Sequence, residues 1–238
     1  MGLKMIKLKS KKYKLFRYSG NKTDFPEMDL SKYKRIVETC AGSMGFSLQY
    51  DLPALGIDYS LELINLLKWL QTVSDKNLDK LKQYEGQRLD IRKIPNLSDE
   101  EKTYLRINIA SVMVGQLSSW TIYPQNKLPI EQTKRAIRKI KNWKFKHGSY
   151  LNYVCKEGDF LFIDPPYLGT LGNYNENDLN MNEFLSWQKQ LWVPHIITYG
   201  SPIKEIKTKW KCWLEKKVPN IRLGGSKIRK DYYTLVTP

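Results

Sequence analysis

The sequence predicts an α/β fold, and three observations carry that expectation. Short apolar runs end in turn-forming residues: Ile36-Val37 precedes Ala41-Gly42-Ser43, and Phe160-Leu161-Phe162-Ile163 precedes Asp164-Pro165. Amphipathic stretches at helical spacing alternate with those runs. From about 66 to 146 strand signals fade and helical ones dominate, the mark of a mainly helical insert. The expected division is therefore 1–64 and 147–238 as two parts of one α/β domain, with 65–146 inserted between them.

Taken in order, 36–40 reads as a first buried strand, with Ala41-Gly42-Ser43-Met44-Gly45 as the turn leaving it. Segment 54–58 reads as a second strand, followed by a helix with Leu61, Ile64, Leu67 and Trp69 on related faces. Ser98 and Glu101 make a capping box, which predicts a long helix running through Leu105, Ile109, Met113 and Leu117. Segment 130–143 reads as a second helix whose polar positions are almost all basic. These are Lys134, Arg135, Arg138, Lys139 and Lys141, with Lys144 and Lys146 following and Glu131 the single acid. Such a one-signed run suits either a solvated face or a track of phosphates. Phe160 to Ile163 is continuous and apolar, the pattern of a strand buried on both faces. Segments 195–199 and 232–236 are the remaining strand candidates.

Composition narrows the function. The 238 residues are 41% hydrophobic and 12% aromatic, enough for a sizeable core and against a disordered chain. Forty Lys and Arg against 24 Asp and Glu leave a net charge of +16, which raises the local concentration of polyanions and points to nucleic-acid backbones. Cys40, Cys155 and Cys212 are widely spaced, against a disulfide framework or zinc cluster and for a reducing compartment. With only His147 and His195, a histidine-based metal site or a Ser-His triad is not expected. No run approaches the roughly 18 apolar residues of a membrane span.

The most informative residues are Asp164-Pro165-Pro166-Tyr167, placed where α/β sheets bind ligands, at the carboxyl end of a buried strand. An exocyclic amine such as adenine N6 is a poor nucleophile because its lone pair is delocalised into the ring. The Asp164 carboxylate accepting one N–H and the Pro165 carbonyl accepting the other would draw the nitrogen toward tetrahedral geometry. Both acceptors gain value as positive charge develops, which is transition-state stabilisation. Proline has no N–H and fixes the direction of its neighbours. Tyr167 supplies a ring on which an extruded base can stack.

With Glu38-Thr39-Cys40-Ala41-Gly42-Ser43 upstream and Tyr18-Ser19-Gly20-Asn21-Lys22 before that, the ordered set resembles the DNA adenine methyltransferase (Dam-like) family. The order is that of its α-type members, and the resemblance spans most of the chain outside roughly 65–145. It implies a Rossmann-like S-adenosylmethionine-dependent methyltransferase fold with a helical target-recognition insert. It also implies methyl transfer from S-adenosylmethionine to the N6 amine of a flipped adenine, with S-adenosylhomocysteine as product. Asp164, Pro165, Pro166 and Tyr167 would be catalytic. Tyr18, Gly20 and Lys22 would lie along the cofactor, with Glu38, Cys40, Ala41, Gly42 and Ser43 under its methionine part. Asp58, twenty residues after Glu38, would accept the ribose hydroxyls. Tyr150 would stack on the cofactor adenine, and Tyr174 would close over the methionyl end, with Asp164 bordering both cofactor and base. Lys134, Arg135, Arg138, Lys139 and Lys141 would contact DNA phosphates. The partner expected is duplex DNA, with no metal and no membrane, for a monomer in the cytoplasm of a bacterial or phage-infected cell.

The sequence departs from the family in three places. Leu117-Ser118-Ser119-Trp120-Thr121-Ile122-Tyr123-Pro124-Gln125-Asn126 does not match the Arg-x-Asn…Gly-x-Phe-x-x-Pro-x-Gly stretch of members reading the usual four-base site. Ser201-Pro202 replaces a Ser-Asn-type pair, and Cys40 takes a place often given to phenylalanine. Cytosine N4 in DNA and adenine N6 in RNA suit the same four residues. A catalytically silent nucleic-acid-binding subunit is the alternative of another class, opposed by Asp164, Asp58 and the glycine turn being present together. The turn lacks Gly-x-Gly-x-x-Gly, against a dinucleotide oxidoreductase.

Overall fold

A computed structural model of the chain describes residues 13–18, 28–110, 119–165 and 180–199, with the backbone of two further strands at 211–219 and 228–236. Five strands run parallel: β1 (Arg35–Glu38), β2 (Ala54–Asp58), β3 (Lys144–His147), β4 (Asp159–Ile163) and β5 (His195–Tyr199). With β6 (Lys211–Pro219) and β7 (Ile228–Val236) they form a seven-stranded sheet in the order β3-β2-β1-β4-β5-β7-β6. β7 is antiparallel to both its neighbours. The chain winds outward from β1 to β3 on one side and from β4 to β5 on the other. The carboxyl ends of β1 and β4 therefore flank the crevice where such sheets bind ligands. This is the α/β, Rossmann-like sheet expected of the sequence.

Alternation along the central strands explains their unbroken apolar runs, because both faces are covered. Val37, Ile57, Leu161, Ile163 and Ile197 face a layer that includes Phe184, Trp187 and Leu191 from α5 (Met181–Lys189) and the residues after it. Ile36, Phe160, Phe162 and Ile196 face Phe46, Tyr50, Met28 and Leu30, with Phe46 stacked on Phe162 at 4.1 Å between centroids. Toward β2 and β3, Ala54 and Phe145 meet α1 (Leu61–Thr72), α3 (Asp99–Ile109) and α4 (Ile130–Ile140). The short α2 (Asp75–Lys80) follows α1.

Local chemistry sets most helix ends. Ser60 caps α1 by accepting from Leu63 N, and Leu63, Ile64, Leu66, Leu67 and Leu70 form its buried stripe. The capping box of Ser98 and Glu101 opens α3 as expected. Two ends differ from expectation. The helix predicted to continue through Met113 and Leu117 closes at Ile109, with Ala110 as its C-cap. The Ile109 carbonyl instead accepts from Tyr123 N at 2.9 Å. Residues 111–118 lie outside the described residues. α4 ends at Ile140 rather than 143, because Gln71 of α1 donates to the carbonyls of Ile140 (2.8 Å) and Trp143 (2.9 Å). Lys144 and Lys146, read as an extension of the basic run, belong instead to edge strand β3, exposed on either side of buried Phe145. The terminal strand begins earlier than 232, at Ile228. α1 crosses the expected 64/65 boundary and β3 crosses the boundary at 146. No helix among the described residues is long and apolar enough to cross a membrane.

Candidate functional site

Strand register brings the chemistry-bearing residues together. Glu38 pairs with Gly56 on one side and Phe162 on the other. The ladder continues past β1 through Thr39 N to Phe162 O (3.2 Å) and Ala41 N to Ile57 O (2.9 Å). Just beyond those pairs Cys40, Asp58 and Asp164 stand at the carboxyl edge, with Ala41 rather than Cys40 opposite Asp58, because the Ala41 N to Ile57 O bond is displaced by one residue from the β1–β2 register. Asp58 pairs with His147, and the pairing of Ile163 with Ile197 sets Thr198 beside Asp164. His147, Asp58, Cys40, Asp164 and Thr198 thus line the carboxyl edge of five parallel strands above the switch point.

Contacts along that edge follow from the register. Thr198, fully buried, donates its hydroxyl to Asp164 Oδ1. Burial pushes the Cys40 thiol well up from its ordinary pKa, and the nearby Asp58 and Asp164 carboxylates push it further. Cys40, half-buried by its surface exposure, is therefore held toward its neutral thiol form. Desolvation likewise raises Asp58, opposed by N–H bonds to its carboxylate and by His147. Asp58 Oδ2 accepts from Gly42 N at 3.0 Å and Oδ1 from Ser60 N at 2.9 Å, so the acid ties the turn after β1 to the end of β2. His147 Nε2 lies 2.9 Å from the Tyr59 carbonyl.

The turn itself is tightly built. Gly42 has φ +46, and a Cβ placed there would stand 2.8 Å from Tyr18 Cε1, so the Tyr18 ring lies directly on the glycine. Only glycine accepts both the left-handed backbone and that approach. Glu38 is buried and its Oε1 accepts from Ser47 N at 2.7 Å, closing the far end of the turn. Ala41 and Ser43 are buried beneath it. Gly56 of β2 leaves room for Met44, whose sulfur would lie 2.7 Å from any Cβ there. Tyr18 is delivered by residues 13–18, anchored through Arg17 N to Asn108 Oδ1 of α3 (2.9 Å) and through the Leu15 carbonyl to Thr133 Oγ1 of α4 (2.9 Å).

Tyr150 begins a 3-10 turn after β3 and rests on α5, its ring 4.9 Å from that of Trp187. Burial raises its hydroxyl pKa, with smaller contributions from Cys40 and Glu183. Asp164 and Pro165 of the Asp-Pro-Pro-Tyr run are described; Pro166, Tyr167, Gly20, Lys22 and Tyr174 lie outside the described residues. Sequence reasoning missed Thr198, whose one local signal is a polar residue near the end of an otherwise apolar run.

The expected phosphate-contacting residues divide into two groups. Arg135, Arg138 and Lys141 are exposed. Lys134 Nζ bonds Asp79 at 2.8 Å and lies 3.4 Å from Glu131. Lys139 Nζ bonds the carbonyls of Leu48 (3.0 Å) and Tyr50 (3.1 Å) and pairs with Asp51 at 2.9 Å. Lys144 stands at the amino end of β3, about 10 Å of strand from His147, and Lys141 precedes it as the C-cap of α4.

No family model matches the chain. Among solved structures, yhhF of Escherichia coli, assigned as a methyltransferase, is similar at 12% identity over 84% of this chain and 73% of that one, with a TM-score of 0.38. A dimethyladenosine transferase from Plasmodium falciparum is similar at 10% identity over 87% of this chain, with a TM-score of 0.38; the match spans 57% of that chain. Protein 1320 of Thermoplasma acidophilum is similar at 9% identity over 87% of this chain and 79% of that one, with a TM-score of 0.39. The fold rests on the strand order and register, not on these likenesses.

Proposed function

We propose that the chain transfers a methyl group from S-adenosylmethionine to the N6 amine of adenine in DNA. The observation that carries the reading is the placement of Asp164-Pro165 at the carboxyl edge of β4, across the switch point from Asp58 at the same edge of β2. The residues present fit the cofactor. Asp58 offers a carboxylate where a ribose would lie, and the Gly42 turn permits close backbone approach beneath the Tyr18 ring. Tyr150, packed on Phe184 and Trp187, contributes a half-buried aromatic ring at the turn after β3. When bound, S-adenosylmethionine supplies a methyl already activated on a sulfonium, with the sulfur leaving as a neutral thioether.

The chain's own groups then act on the target amine. Asp164 accepts one N–H and the Pro165 carbonyl accepts the other, so the nitrogen lone pair is directed out of the base plane. As that pair forms the new N–C bond, the nitrogen becomes cationic, and both acceptors hold it more strongly than they held the neutral amine. The N–H proton held by Asp164 then passes to that carboxylate and on to water, and the amine is neutral again. Cys40, kept as a thiol, adds no charge between the two carboxylates. A base reaching this edge has to leave its stack. The net charge of +16, with Arg135, Arg138 and Lys141 exposed, supports a polyanionic substrate wrapped around the β3 side.

The test is methyl transfer from tritiated S-adenosylmethionine to unmethylated plasmid DNA and, separately, to total RNA, followed by nucleoside analysis. Label in N6-methyladenine of the DNA is the expected result; label in N4-methylcytosine or in RNA alone would assign another amine. Asp164→Asn keeps an acceptor but loses the charge, and its single-turnover rate should fall by at least ~10²-fold. A near-parental rate for that variant would refute the mechanism.

A further inference from the structure

We infer that Thr198 is a positioning residue for Asp164, setting the plane in which that carboxylate meets the target amine; this rests on the methyl-transfer reading above. Thr198 lies on β5 among buried His195, Ile196 and Ile197 and is itself fully buried. A strand covered on both faces ordinarily carries Val or Ile there, and a buried hydroxyl is tolerated only when it is hydrogen-bonded. Its proton goes to Asp164 Oδ1.

That bond supplies what the backbone no longer does. The last described pair between β4 and β5 joins Ile163 to Ile197, so Asp164 sits just past the ladder. The terminal torsion of an aspartate is broad and roughly two-fold, so strand geometry alone leaves the orientation of the carboxylate loosely defined. A donor arriving from the neighbouring strand fixes one oxygen and therefore the directions of the other lone pairs. A carboxylate has about four acceptor positions, and accepting from Thr198 uses one of them. Fully buried and bonded to Asp164, the hydroxyl acts through that carboxylate rather than on a ligand of its own.

Thr198→Val keeps the branched shape and removes the donor; Thr198→Ser keeps the donor and removes the methyl. Both would be compared with the full parental chain in single-turnover transfer from tritiated S-adenosylmethionine to unmethylated plasmid DNA and to total RNA. Cofactor affinity would be measured by calorimetry and the melting temperature recorded alongside. Thr198→Val should lower the maximal rate about 10- to 100-fold, the scale for loss of a partner that orients an active group. KM for nucleic acid and Kd for the cofactor should stay within about twofold, because Thr198 acts through Asp164 rather than on either ligand. Thr198→Ser should recover to within about threefold of the parental rate. If the valine chain does not fold, Thr198→Ala carries the same expectation.

A parental rate in Thr198→Val, or equal loss in Thr198→Ser and Thr198→Val, overturns the inference and leaves the methyl-transfer reading standing. So does a rate loss matched by equal losses of cofactor affinity and melting temperature, which a purely structural threonine would give. A parental chain inert on both nucleic acids overturns the function, and the positioning role falls with it.

Discussion

Replacing Gly42 with alanine should destabilise the protein through two separable effects. The first is conformational: φ is +46, and a left-handed backbone costs an L side chain about 1–2 kcal/mol. The second is steric: the new Cβ would lie 2.8 Å from Cε1 and 3.0 Å from Cδ1 of Tyr18. A ring has no flexible end to swing aside, so the turn or the ring must shift, at the ~1–3 kcal/mol typical of overpacking. Together the loss should be about 3 kcal/mol, lowering the melting temperature by about 6–12 °C for a chain of this size. The two effects separate in a cycle of Gly42→Ala, Tyr18→Ala and the double variant. Without the ring, Gly42→Ala should cost only the backbone part, leaving a coupling of about 1–3 kcal/mol. Urea unfolding of all four chains measures it, and calorimetry with S-adenosylmethionine shows whether the same displacement weakens the cofactor. A Gly42→Ala cost that is the same with and without the Tyr18 ring would show that the ring does not lie on the turn.

Asp58→Asn leaves one acceptor oxygen where Gly42 N and Ser60 N now use two, and removes the charge. Cofactor affinity should fall by a few kcal/mol, at roughly 1.5–3 per charge-assisted bond, and unchanged calorimetric affinity would exclude Asp58 from the cofactor site. His195 is buried, and desolvation lowers its pKa from 6.5 to about 4. Below pH 6.5 the unfolded imidazole binds a proton that the folded one refuses, so stability present above 6.5 should be lost as pH falls toward about 4. The loss should reach about 2–3 kcal/mol, and urea midpoints of His195→Gln should lack that slope; a variant with the parental slope would assign it elsewhere. Neutralising Arg135, Arg138 and Lys141 should flatten the salt dependence of DNA binding by about 0.9 in slope for each phosphate left without its cation. Lys134→Gln and Lys139→Gln should leave it unchanged, since both lysines are held by intramolecular partners; a parental slope in the triple variant would place α4 away from the DNA.

Short-range pattern was sufficient for much of this protein. The apolar runs of β1, β4 and β5, the stripe of α1 and the capping box of α3 depend on neighbours within four residues, so they were legible directly. The same holds for Asp164-Pro165 at a strand end and for a glycine in the turn after β1. What lies outside that range was decided by tertiary structure. α4 stops at Ile140 because Gln71, 69 residues earlier, takes its carbonyl. Lys144 and Lys146 became an edge strand because β2 offered an open ladder, which a basic tetrapeptide does not advertise. Lys134 left the exposed cations because α2 carries Asp79 opposite it. Above all, no local signal says that Cys40, Asp58, Asp164 and Thr198 meet at one edge of the sheet, or that Thr198 reaches back 34 residues to Asp164. Periodicity states which face a residue takes; register across parallel strands, set by the packing of the whole sheet, decides which residues meet there.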